Sequence, residues 1–165
     1  MQRKPIIGVM GGSNVSSKIY QEAYELGKAI AENGWILLNG GRDAGVMRAS
    51  AEGAKEKNGI TIGILTGRDK YSANSFIDIP ICTNMGDARN VINILSSDIV
   101  VACPGSAGTL SEIALALKNS KPVISLHTPI PPVIKAYESS GQFVRVHSVD
   151  ECIQLVKTKL AEKSG

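Results

Sequence analysis

The chain has 165 residues, a net charge of +3, 43% hydrophobic and only 4% aromatic residues. That length fits one domain, residues 1–165, able to bury roughly 70% of its unfolded surface. The charges are mixed and form no basic stripe interleaved with aromatics, which speaks against a nucleic-acid partner, and no run of roughly eighteen apolar residues offers a membrane span.

In chain order, "IIGVM" from Ile6 reads as the first strand, and Ser17 to Asn33 as the first helix, stopped by Gly34. "WILL" from Trp35 is the second strand and Ala44 to Lys57 the second helix, stopped before Gly59. "ITIGIL" from Ile60 and "IDIPIC" from Ile77 are the third and fourth strands. Between them Thr66 to Phe76 is the least regular stretch and reads as a mobile loop. Gly86 to Ser97 is the next helix, followed by the strand "DIVVA" from Asp98 and a helix from Gly108 to Asn119. "PVISL" from Pro122, a helix from Pro131 to Ser140, "FVRVH" from Phe143 and a helix from Ser148 to Lys163 complete the series. "SVDE" gives the last helix a capping box at Ser148.

The strands are short, β-branched and continuous in their apolar character, as in a parallel sheet covered on both faces. Strand alternating with helix predicts an α/β, Rossmann-like doubly wound sheet, mainly parallel, of about seven strands with helices on both faces. Ligands of such sheets bind beyond the carboxyl ends of the strands. Three glycine-rich turns fall there: Gly11, Gly12 and Ser13; Gly40, Gly41 and Gly45; and Pro104, Gly105, Ser106, Ala107, Gly108 and Thr109. None carries GxxxxGK[ST] or GxGxxG, and the second strand ends in Asn39 instead of a ribose-gripping acid, so the common kinases and dehydrogenases drop out. Tight strand-to-helix turns use glycine too. Three such turns along one edge point to a phosphorylated small ligand held on backbone amides and a helix N-terminus.

"PGSAGTLSE" (Pro104 to Glu112) resembles the PGGxGTxxE motif of the LONELY GUY family of cytokinin-activating phosphoribohydrolases, whose superfamily also goes by the name lysine decarboxylase-like. Arg89 in "ARN", fifteen residues before Pro104, has the spacing of that family's catalytic arginine. "GGRDAGVMRASAEGAK", "GDARNVINILSSDIVVAC" and "GTLSEIALALK" are more similar still to the molybdenum cofactor carrier branch. Ser106, Ala107 and Asn90 depart from the hydrolase pattern, Asn90 standing where the hydrolases have lysine. The resemblance therefore implies a binding or carrier protein for a nucleotide or a molybdopterin-type cofactor. The alternative is a nucleoside 5′-monophosphate phosphoribohydrolase releasing base and ribose 5-phosphate, with Arg89 and Glu112 catalytic. It further implies at least a homodimer, or a homotetramer, pairing through helices that carry Ile92, Leu95, Ile113 and Leu117.

Glu112 has two readings. "TLSE" from Thr109 is itself a capping box; alternatively the carboxylate faces the sugar or ring of the ligand, with Arg89 within salt-bridge reach, and serves as base in the hydrolase case. Ser13 and Asn14 could reach a sugar or phosphate. Arg42 and Arg48 flank a glycine loop and could help hold an anion, solvated charge being the default reading, and Met47 reads as core. His127 and His147 have no partner at ligand spacing, so no metal is expected. No cofactor is required, a nucleotide, phosphate or the molybdenum cofactor entering as a possible bound ligand. Cys82, Cys103 and Cys152 form an odd set without CxxC spacing, which argues against disulfides or a cysteine zinc site and for a reducing cytoplasm. The opening apolar run is too short for a signal peptide. Cys103 precedes the third turn, where a helix dipole would lower its pKa and burial would raise it.

Overall fold

A computed structural model describes residues 3–129 and 131–164. Its seven strands are β1 (Ile6–Met10), β2 (Ile36–Asn39), β3 (Thr61–Leu65), β4 (Ile79–Cys82), β5 (Ile99–Ala102), β6 (Val123–Leu126) and β7 (Phe143–Val146). They form one sheet in the order β4-β3-β2-β1-β5-β6-β7, with every neighbouring pair parallel. The helices are α1 (Ser17–Glu32), α2 (Gly45–Glu56), α3 (Arg89–Ser96), α4 (Ala107–Lys118), α5 (Lys135–Ser139) and α6 (Val149–Ser164). No described helix is long and apolar enough to cross a membrane.

The apolar runs explain the layering. β5 is buried along its whole length, and so is β6, so both sheet faces need cover. α1 packs on α2 and α6 over one face, around Ile7, Val9, Leu37, Ile99, Val101 and Ile124. α3 packs on α4 over the other, around Met10, Leu38, Ile64, Val100, Ile113 and Phe143. Alternate residues of one strand therefore feed two separate cores. Ile113 and Leu117 belong to the second core, which corrects the expectation that they lie on a pairing surface. Leu95 is exposed as expected, and the other exposed apolar residues of α3 and α4 are Val91 and Leu110.

Chain order runs outward from β1 to β4 and then returns to place β5 on the other side of β1. The strand order thus reverses between β1 and β5, and a crevice must open beyond their carboxyl ends.

Three segments differ from expectation. The helix expected over Gly86 to Ser97 starts with a 3-10 turn, Gly86–Ala88, before α3. Pro131 to Ser140 is broken into a 3-10 turn, Pro132–Ile134, and the short α5. The Thr66 to Phe76 loop is irregular but anchored at Asn74, which is 3% exposed: its backbone N–H donates to Gly41 O at 2.9 Å and its Nδ2 to Arg42 O at 3.1 Å. The capping box of α6 is present in altered form. Ser148 Oγ accepts from Glu151 N, while the Glu151 carboxylate reaches one residue further back, to His147 N.

Candidate functional site

The three glycine turns meet at the β1–β5 crevice and are fastened by backbone hydrogen bonds. Gly12 N–H donates to Pro104 O at 2.9 Å, and Gly12 O accepts from Val46 N at 3.0 Å. The first and third turns approach so closely that a Cβ on Gly12 would stand 3.2 Å from Gly105 Cα, and one on Gly105 would strike Thr109 Oγ1. Gly45, at φ +49°, lies against the backbone of Gly12 and Ser13. Asn39 holds the second turn from inside: wholly buried, it donates to Met47 O and Ser50 Oγ and accepts from Gly41 N.

These turns enclose a cleft of about 160 Å³. Of the residues singled out from sequence, Gly11, Gly12, Ser13, Gly40, Ser106, Gly108, Thr109, Arg89 and Glu112 line it. Pro104 and Gly105 face an adjoining groove instead. Gly41 and Gly45 serve the packing of the turns, the Gly41 amide being taken by Asn39, and Ala107 points to neither cavity. Arg42, Met47, Asp87 and Asn90 also line the cleft. Met47 is buried, as its pattern indicated, and Arg42 is exposed, yet both also border the cleft, a convergence of loop ends that local patterning has no means of showing. Arg48 stays outside, paired with Asp43 at 2.5 Å and stacked over Phe76.

α4 starts at Ala107 with Ser106 as its N-cap, and no side chain caps it. Its first amides lack partners within the helix, and Gly108 and Thr109 bring that positive end of the helix dipole to the cleft wall. Gly108 is open: nothing lies within 4 Å of the place a Cβ would take. That open space beside the helix amides leaves room for an anion.

The same boundary removes the capping-box reading of Glu112. Thr109 is the third helical residue and not the N-cap, so Glu112 lies too far along α4 to reach back. Its carboxylate is 7% exposed and accepts from Asn93 Nδ2 at 3.0 Å. Burial raises its pKa, against the opposing pull of the Asn93 hydrogen bond and the Arg89 charge.

Arg89 is also buried, but it forms no ion pair with Glu112 among the described residues, contrary to expectation. Its Nη1 donates to Gly40 O at 2.7 Å and to Ile64 O, and its Nε to Asn90 Oδ1 at 3.0 Å. Backbone carbonyls have claimed the edge of the guanidinium that would otherwise turn to the carboxylate. Burial lowers its pKa, while the Glu112 charge acts in the opposite direction. Asn90, bonded also to Ser111 Oγ at 3.3 Å, ties Arg89 to α4. A lysine there has no acceptor and could not do this. The Nη2 hydrogens have no partner among the described residues and remain for a ligand.

Cys103 and Cys152 are buried free thiols, and Cys82 is exposed and free. Burial pushes the Cys103 thiol up, so no lowering by a helix dipole survives. The His127 and His147 rings are tilted at 54° to each other with centroids 6.2 Å apart, and His127 lies 3.6 Å from Glu22. Among the described residues no group of three ligands could hold a metal ion.

Compared with known proteins, residues 4–153 match the model of the SLOG cluster4 family. The structure is similar to that of the molybdenum cofactor binding protein of Rippkaea orientalis, with 47% identity, 97% of this chain and 99% of that chain covered, and a TM-score of 0.90. It is similar also to the molybdenum cofactor carrier protein of Chlamydomonas reinhardtii, with 47% identity over 96% of this chain and 99% of that one and a TM-score of 0.89. The cytokinin riboside 5′-monophosphate phosphoribohydrolase of Mycobacterium tuberculosis is 33% identical over 103 residues, which span 61% of this chain and 55% of that protein.

Proposed function

The chain belongs to the SLOG cluster4 family, and on that premise we propose that it binds and carries a phosphorylated small molecule of the molybdenum cofactor type. What supports the reading best is near end-to-end similarity to two proteins of that description, joined to a cleft that offers free helix amides, an open glycine and a half-used guanidinium. The phosphate sits on the amides of α4 beside Gly108, and Arg42 and the Nη2 edge of Arg89 balance its charge. Asp87 and Glu112 lie around the rest of the cleft and leave it close to neutral, so the anion is held by directed amides more than by net charge. The protein works as a homo-oligomer that covers the exposed Val91, Leu95 and Leu110 face.

The test is native mass spectrometry of gently and anaerobically purified protein. Retention of a pterin-containing mass supports the proposal. Protein that retains nothing and, in calorimetry, takes up neither phosphate nor sulfate refutes it.

A second reading, phosphoribohydrolase activity, draws on Arg89 and Glu112 sharing one cleft. It asks more of Glu112, which must be ionised to act as base while burial favours its proton. Release of ribose 5-phosphate from adenosine or guanosine 5′-monophosphate, lost in Glu112→Gln, would establish it.

A further inference from the structure

The cleft is too small for the ligand it is proposed to hold. Sites that take whole cofactors occupy roughly 300–1,000 Å³, and the cleft offers about 160 Å³. On the other side of the third glycine turn runs a groove of about 380 Å³. The two share Gly12, Ser13 and Ser106 in their walls, so they adjoin on either side of the turn. Together they reach the size range of a cofactor site. The apolar pocket beyond Thr128 and Pro129 is no substitute, being only about 160 Å³ and sharing only the turn's Ser106 and Thr109 with the cleft.

The two lobes differ in chemistry. The cleft holds all the charge: Arg42, Arg89, Asp87 and Glu112. The groove has no ionisable side chain at all. Val15, Ile19 and Pro104 give it apolar surface, and Asn14 and Ser16 give it amide and hydroxyl groups. Such a lining suits a flat, uncharged heteroaromatic ring, whose faces want apolar contact and whose edge wants donors and acceptors. Asn14 supplies both kinds of group, and no described residue bonds its side chain.

We propose that the ligand straddles the Ser106 turn, its phosphate in the charged cleft and its fused, uncharged pyrimidine-type ring in the groove formed by Asn14, Val15, Ile19 and Pro104. The proposal rests on the carrier reading above and adds to it the residues that select the ring. Phosphate gives anchoring, and the groove gives discrimination between phosphorylated compounds.

The experiment compares inorganic phosphate with three ring-bearing phosphates: adenosine 5′-monophosphate, guanosine 5′-monophosphate and 6-hydroxymethylpterin phosphate. Calorimetry on the wild-type protein should show at least one of the three binding tenfold or more tighter than inorganic phosphate. Asn14→Trp fills the groove from an exposed loop position without entering the core. It should leave the affinity for inorganic phosphate within about twofold and cancel the advantage of the ring. Val15→Phe serves as the second obstruction, with thermal melting to confirm that both variants are folded. If the folded variants keep the ring's advantage, or lose inorganic phosphate along with it, the groove is not the ring site. If the wild-type protein binds inorganic phosphate but no ring-bearing compound more tightly, the groove assignment falls and the phosphate site stands. If it binds none of the four, the carrier reading itself falls.

Discussion

Replacing Glu112 by Gln removes one negative charge from the cleft while keeping the shape and an acceptor for Asn93 Nδ2. Glu112 lies three positions after Thr109 on the helix, about 4.5 Å along the axis. With lateral offset, an anion on the α4 amides lies about 6–8 Å from the carboxylate. At an effective dielectric constant of about 20, unit charges at that separation repel by about 2–3 kcal/mol, equivalent to about 30- to 100-fold in affinity. Sulfate is the appropriate probe, since its charge is constant where phosphate titrates. Sulfate carries two charges, which doubles the repulsion, so the variant should bind it at least about 30-fold more tightly than wild type at pH 8. The gap should close as the pH falls, because Glu112, its pKa raised by burial, takes up a proton and ceases to repel. Wild-type affinity therefore rises toward acid while that of the variant stays flat. Calorimetric titrations from pH 5 to 8 decide the matter. Equal affinities across that range, with both proteins folded, would refute the argument that Glu112 opposes the anion through its charge. Stability follows the same sign. A carboxyl whose folded pKa lies above its unfolded one costs stability as pH rises from the unfolded value, the cost being complete above the folded one, so Glu112→Gln should melt higher than wild type at pH 8, by a margin that narrows as the pH falls.

Gly108→Val should leave the melting temperature within a few degrees, since the Cβ position is empty and valine suits a helix better than glycine, while abolishing sulfate binding in calorimetry. Arg89→Lys loses the fork that reaches Gly40 O, Ile64 O and Asn90 Oδ1, leaving buried carbonyls short of a donor. Urea unfolding should show a loss of about 1–3 kcal/mol, and sulfate binding should weaken at every pH. Leu95→Glu places a charge on an exposed apolar position of α3 and should shift the mass seen by light scattering from oligomer to monomer without a change in circular dichroism.

The fold was legible because its signals are local. Continuous apolar runs such as "IVVA" (Ile99–Ala102) announce strands buried on both faces, and the amphipathic runs between them force right-handed crossovers and hence a parallel sheet. The glycine turns could be placed at the carboxyl edge for the same reason, each standing just after its own strand. What the turns do for one another was not legible. The Gly12 to Pro104 hydrogen bond exists only because β5 returns to lie beside β1, an adjacency no short window of sequence encodes. The partners of the two buried charges belong to that level as well. Glu112 is held by Asn93, nineteen positions away, and Arg89 by carbonyls 25 and 49 positions away, so the spacing that marked them as a pair gave no sign that each is held by something else. Which side chains flank a ligand depends on which loops converge. Convergence is decided by strand order and packing, and sequence periodicity reports only which face of an element is apolar.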